Sequence, residues 1–217
     1  MIVCSSHRPH LDSPEIAVNQ ARAKISWEEH FEKIVYFGDP EPELASPKTT
    51  FVYSDAFPRI ADLALQLAQF RDKLGAIVNA DIVIGPNFTK ANQELIARNA
   101  KAGMSRRRNF ENPAKPFDAS MTDLGIDFFF ASHGMWQMLA NEIPKQYRIG
   151  HCLWDTWVMA FFARWAGSDC YDLTPQRFVF HPVHGDRRAF HPIDTTVDVT
   201  LSHFRWPAGR LRCCLNR

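Results

Sequence analysis

The chain contains no CxxC pair. Its five cysteines, Cys4, Cys152, Cys170, Cys213 and Cys214, are odd in number and irregular in spacing. That argues against a disulfide framework and a structural zinc site, and fits a reducing, cytoplasmic compartment. No apolar run approaches the roughly 20 residues needed to span a bilayer. The longest, Trp157 to Ala166, is interrupted by Arg164 and reads as a core helix. Met1-Ile2-Val3-Cys4 followed by polar residues is not the pattern of a signal peptide. Neither charge is in excess: 25 basic and 24 acidic residues leave a net +1, which gives no support to a strongly basic nucleic-acid module. GxGxxG, the P-loop, the nucleophile elbow and HExxH are all missing, which removes the usual dehydrogenases, kinases, serine hydrolases and zincins. Internal repeats and low-complexity segments are missing too.

What is present is an ordinary apolar fraction of 46% in 217 residues, enough for one domain with an appendage. We expect a domain over residues 1–195 and a C-terminal extension of unknown role over 196–217. Ile2 to Ser5 reads as a first strand running into the polar turn Ser6-His7-Arg8-Pro9-His10. Ser13-Pro14-Glu15 is a helix start, with Ser as cap, Pro at the first helical position and Glu in the first turn. Ile16, Ala23, Trp27 and Phe31 then continue at helical spacing to about Phe31. Ile34 to Phe37 and Thr49 to Tyr53 read as strands, and Ile60 to Phe70 as an amphipathic helix. Ala76 to Ile84 follows as a strand, then a helix from Thr89 to Lys101 stopped by Gly103. Leu124 to Phe130 is a further strand, Met135 to Leu139 a helical turn and Trp154 to Trp165 a helix. Phe178 to Asp186 and Val197 to Phe204 supply late strand candidates. The alternation predicts an α/β fold with a central, mostly parallel sheet flanked by helices, ligands sitting beyond the carboxyl ends of its strands.

The most informative stretch is Ala76-Ile77-Val78-Asn79-Ala80-Asp81-Ile82-Val83-Ile84. An amide and a carboxylate inside a β-branched apolar run are costly unless paired. Read as a strand, the run puts Asn79 and Asp81 on one side, as half a site for a hard divalent cation. The plain alternative is a turn-capping Asp and an Asn bonded to backbone. Three other groups carry chemistry. His181-x-x-His184 with Asp186 offers imidazole and carboxylate ligands, or else a surface turn. Trp154-Asp155-Thr156-Trp157 sets a carboxylate at a helix start, where the dipole stabilises it and where it can also serve as a general base. Arg106-Arg107-Arg108 matches phosphate oxygens, or is simply a solvated basic turn.

In their order along the chain these motifs resemble the nucleotide-diphospho-sugar transferases, the glycosyltransferases of GT-A (Rossmann-like) fold, over roughly residues 1–190. Asn79-Ala80-Asp81 is similar to an N-x-D variant of the family's metal-binding DxD motif. Ser105-Arg106-Arg107-Arg108, Gly125-Ile126-Asp127-Phe128-Phe129 and Ile149-Gly150 leading to Trp154-Asp155-Thr156-Trp157 follow as in the family. A late histidine comes last, His184 the better match and His181 the alternative. The resemblance implies metal-dependent transfer, with inversion, of a sugar from a nucleoside-diphosphate donor to a hydroxyl acceptor. It implies Mn²⁺ or Mg²⁺ held by Asp81, His184 and Asn79, and donor contacts from Ser5, His7, Arg8, Asn79, Arg106, Arg107, Arg108 and Asp127, the last accepting sugar hydroxyls. Asp155 would be the catalytic base. The acceptor is a glycan, a small molecule, a protein or a hydroxymethylated DNA base, the last suiting a bacterial or viral enzyme. Two other readings stand beside it: a sugar-1-phosphate nucleotidyltransferase, which usually opens with a Gly-rich loop and a Lys that Ser5-Ser6-His7-Arg8 lacks, and a non-catalytic nucleotide-sugar-binding protein.

Overall fold

The computed structural model describes residues 1–7, 14–54, 57–119, 122–150 and 153–183. The compact unit they form spans Met1–Val183. The expected boundary near residue 195 and the expected strand at 197–204 lie outside the described residues.

Short apolar runs form the strands. They are β1 (Ile2–Ser6), β2 (Lys33–Phe37), β3 (Thr49–Val52), β4 (Gly75–Val78), β5 (Val83–Ile84), β6 (Ala102–Phe110), β7 (Thr122–Ala131), β8 (Cys170–Asp172) and β9 (Val179–Pro182). Among the described residues they make one sheet in the order β3-β2-β1-β4-β7-β6-β9-β5, with β8 on β6. Five of its eight pairings are parallel. β7 is the exception in the middle, antiparallel to both β4 and β6. The carboxyl ends of β1, β4, β6 and β9 therefore share a rim with the amino half of β7.

Helices cover both faces, which is why β1 and β4 are buried along their whole length. On one face, α1 (Pro14–His30) and α3 (Phe88–Ala97) enclose Trp27, Phe31, Tyr36, Phe88, Phe128 and Phe178. On the other, α2 (Ile60–Leu67), α4 (His133–Glu142) and α5 (Trp154–Trp165) enclose Leu63, Ile77, Phe129, Trp136 and Phe162. Two fully buried indoles spend their N–H on backbone: Trp27 Nε1 donates to the Ile82 carbonyl at 2.7 Å and Trp136 Nε1 to that of Gly75 at 3.1 Å.

The mixed, mostly parallel sheet and flanking helices match the sequence expectation, with two local differences. The run 76–84 is not one strand. β4 ends at Val78, the chain turns, and β5 pairs with β9 at the far end of the sheet. Only four residues bridge Val78 and Val83, and α1 reaches β5 through Trp27 and Ser26, so the sheet curls strongly on that face. Second, α3 ends before Gly103. Asn99 takes the left-handed conformation (φ 51°) and the Ala100 N–H bonds back to Leu95 at 3.0 Å, a capped end for which Asn substitutes for Gly. Gly103 instead lies inside β6. The arginine triplet lies in β6, and its plain alternative, a solvated turn, is not formed.

Gly103 is there for space. A Cβ at this position would land inside van der Waals contact of the Phe130 ring and of the Tyr171 carbonyl, which is backbone and cannot swing away. Gly103→Ala is expected to lower the free energy of unfolding by at least the ~1–3 kcal/mol of ordinary overpacking; a urea titration showing no loss would contradict the close approach of β6, β7 and β8.

Candidate functional site

The rim places several of the expected residues together. After Val78 the chain makes a tight turn over Asn79-Ala80-Asp81, closed by the Ile82 N–H on the Asn79 carbonyl at 3.1 Å. Asn79 and Asp81 therefore do not share a strand face; a corner presents them. The corner is pinned from three sides. Ser5 Oγ donates to the Val78 carbonyl at 2.6 Å, Trp27 Nε1 holds Ile82, and the Ile84 N–H donates to Ser26 Oγ at 2.9 Å. None of these anchoring roles was foreseen from sequence, where Ser5 reads as a donor contact. The signal was a serine beside a tryptophan, Ser26-Trp27, on a helix face that also buries Asn19 and Gln20.

Asp127 faces this corner. In the β6–β7 register Ser105 pairs with Phe128 and Arg106 with Ile126, so Asp127 is the extra residue of a bulge, a device that re-aims a side chain. Its backbone carbonyl accepts the Asn79 N–H at 3.4 Å. Its Oδ1 accepts from Asn79 Nδ2, and its Oδ2 accepts from Arg107 Nη1 at 3.0 Å. It is only 5% exposed, and burial raises its pKa above the usual carboxylate range; the charges of Arg107 and His181 oppose that rise and Asp81 adds to it. Both carboxylate oxygens are thus already engaged inside the protein.

Asp81 meets a histidine from β9: His181 Nε2 lies 3.4 Å from Asp81 Oδ2. Of the two histidines read from sequence, His181 is placed at the acid, while His184 lies outside the described residues, as does Arg8. A carboxylate oxygen and an imidazole nitrogen suit Mn²⁺ better than Mg²⁺. Among the described residues no group of three or more His, Cys, Asp or Glu is disposed around one point. A cation held here would take its remaining ligands from substrate oxygens and water.

The other expected residues are distributed around this centre. Arg106 gives its backbone N–H to Thr174 Oγ1 at 3.1 Å, and Arg108 Nη1 donates to the Ala119 carbonyl at 3.1 Å. Ser5 is fully buried and serves as a strut between β1 and β4. His7, at the carboxyl end of β1, is 5% exposed and lies edge-on to Tyr36 and Phe51; neither ring nitrogen has a hydrogen-bond partner among the described residues. Gly38 (φ 143°) leaves the ring its room, since a Cβ there would sit 2.6 Å from His7 Nε2. Asp155 opens α5, its Oδ1 accepting the Thr156 N–H at 2.8 Å. The neighbouring Trp154 packs on Phe129, two residues along β7 from Asp127, with ring centroids 5.3 Å apart.

The chain matches no protein-family model and no curated protein sequence. Solved structures do match. One is a Bacillus anthracis protein named for glucose-1-phosphate thymidylyltransferase activity, in complex with sucrose; it is 12% identical, with a TM-score of 0.51 over 79% of this chain and 84% of that one. Another is residues 1–349 of TarS from S. aureus in complex with UDP-GlcNAc, 11% identical, with a TM-score of 0.52 over 84% of this chain and 58% of that one. At such identities the similarity establishes the fold.

The raised pKa of Asp127 has a sign that can be measured. Below the unfolded carboxylate value of about 3.9 both states are protonated. As pH rises the unfolded chain releases this proton first, so the stability Asp127 contributes is lost as pH climbs through the folded value. The unfolding free energy of the wild type minus that of Asp127→Asn is expected to fall from about pH 4 upward. Arg107→Gln, which removes an opposing cation, should extend the fall to higher pH. A flat difference in urea titrations would refute the burial of this acid.

Proposed function

We propose that this chain, which has the GT-A-like fold of the nucleotide-diphospho-sugar transferases, is a metal-dependent glycosyltransferase acting on a nucleoside-diphosphate sugar. The observation that carries the reading is the meeting of Asp81, His181, Asp127 and Arg107 at the rim where β4, β6 and β9 end. Ligands of such sheets bind at this edge. Asp81 and His181 would hold a divalent cation, Mn²⁺ in preference to Mg²⁺. When bound, the cation supplies Lewis-acid stabilisation of the leaving diphosphate. Arg106, Arg107 and Arg108 line the adjacent strand end and add positive charge for the phosphates. His7, between Tyr36 and Phe51 at the end of β1, marks the nucleoside side. Asp155 accepts the proton of the acceptor hydroxyl as it attacks the anomeric carbon from the far face, which inverts the configuration.

The fold is shared with nucleotidyltransferases, and one matched structure carries such a name. Here the first strand runs into Ser5-Ser6-His7 with neither a Gly-rich loop nor a Lys. The products separate the two chemistries: glycosyl transfer releases a nucleoside diphosphate, nucleotidyl transfer releases pyrophosphate.

A thermal-shift panel of UDP, GDP, ADP, CDP and dTDP and their sugars, with and without Mn²⁺, tests the reading, because a ligand selective for the native state raises the melting temperature by mass action. A Mn²⁺-dependent shift for one nucleotide is expected, and its loss in Asp81→Ala. Unchanged Mn²⁺-dependent binding in that variant would end the metal assignment. Asp155→Asn is expected to cut transfer by on the order of 10²–10⁴-fold while leaving donor binding intact. Full turnover would remove Asp155 as base.

A further inference from the structure

The Gly125-Ile126-Asp127 motif is explained by what lies on it. A Cβ at Gly125 would fall 3.0 Å from Arg107 Cζ and 3.1 Å from its Nε. The guanidinium lies against the bare Cα. The backbone of Gly125 is outside the left-handed region, so what a side chain there would disturb is the seat of Arg107. From that seat Arg107 Nη1 reaches Asp127 Oδ2, and Asp127 Oδ1 takes Asn79 Nδ2. Exposure divides the group. The Asp127 side chain is 6% exposed, whereas Arg107 keeps 25% and Asp81 26%. The residues able to touch a diphosphate are the outer two. The buried acid touches only the groups that set their positions.

We infer that Gly125, Asp127 and Asn79 are positioning residues: they form a relay that fixes the Arg107 guanidinium relative to the Asn79–Asp81 corner, so that the cation of one strand and the acid of another meet a donor diphosphate at a set spacing. The inference rests on the donor reading above. It also accounts for Asn in place of a first Asp. A carboxylate at position 79 would face the buried Asp127 carboxylate with like charge, whereas an amide donates to it. The Asn79 amide is committed to Asp127, and Asp81 meets His181 instead. Asp127 likewise acts through its neighbours rather than on sugar hydroxyls.

The test uses the full chain and one probe, whichever of UDP, GDP, ADP, CDP and dTDP gives the largest Mn²⁺-dependent thermal shift. Gly125→Ala, which touches no ligand, is expected to weaken that nucleotide at least fivefold by calorimetry with a melting temperature close to wild type. Asn79→Ala works from the opposite end. It should broaden the Arg107 guanidinium resonances in ¹⁵N spectra, assigned by their loss in Arg107→Lys, although Asn79 makes no contact with Arg107 in the relay. If both variants fold, bind the nucleotide like wild type and leave the Arg107 signals sharp, the relay is wrong. Should Gly125→Ala not fold, Asn79→Ala decides alone: sharp Arg107 signals with wild-type affinity overturn the inference, and broadened signals with weakened affinity support it. A wild type that binds none of the five nucleotides overturns the donor reading and the inference with it, whereas wild-type binding with unaffected variants overturns the inference alone.

Discussion

Everything at the rim depends on the backbone at the end of β4 having its polar groups met by side chains. The Val78 carbonyl is taken by Ser5, the Ile82 carbonyl by Trp27, and the Ile84 N–H by Ser26. Each such bond adds only about 1 kcal/mol net, but losing its partner would strand a buried polar group at a cost of roughly 1–3 kcal/mol. The corner is therefore a rigid part of the scaffold, and two of its three supports come from α1. Packing of α1 on the sheet and placement of Asp81 are one problem. The stack of Trp27 on Tyr36, with Tyr36 stacked in turn on Phe51, carries the same rigidity towards His7.

Local chemistry made much of the fold legible. Ser13-Pro14-Glu15 announced α1 at Pro14, and the apolar spacing of Trp154 to Trp165 gave α5 with the ends it has. Alternation of strands and helices gave the mixed sheet. The break after Val78 was not legible, because Ile82, Val83 and Ile84 are as apolar as the strand before them. They are apolar for a different partner, β9, roughly 100 residues away in sequence. For Arg106-Arg107-Arg108 the turn stayed open as an alternative for a related reason: three consecutive cations carry no strand period, and only the bulged pairing with β7 decides against it. At the site, the residue types were visible and their partners were not. Asn79, Asp127 and Arg107 stood out singly, yet nothing in one sequence says that two donors converge on one buried carboxylate.

The electrostatics of the rim follow from burial more than from counts. A chain with nearly balanced charge carries a cluster in which one acid is sunk in the sheet against Arg107 and another faces a histidine. Fixed charges in a partly dry setting act more strongly than the same charges in water. A polyanion can be gripped without making the whole protein basic, so the net +1 is compatible with the proposed donor site.

β7 lies between β4 and β6 and runs against both. Its neighbours come from residues 75–78 on one side and 102–110 on the other. The four strands before it, β3-β2-β1-β4, can pair using the first 78 residues alone. Such a half-sheet stops short of the Asn79–Asp81 corner and has neither its buried acid nor its arginine. Only when the β6–β7 hairpin adds to the open edge of β4 does that edge close and the rim acquire its charges. Joining of the two halves of the sheet and assembly of the Asn79–Asp127–Arg107 contacts are then one event.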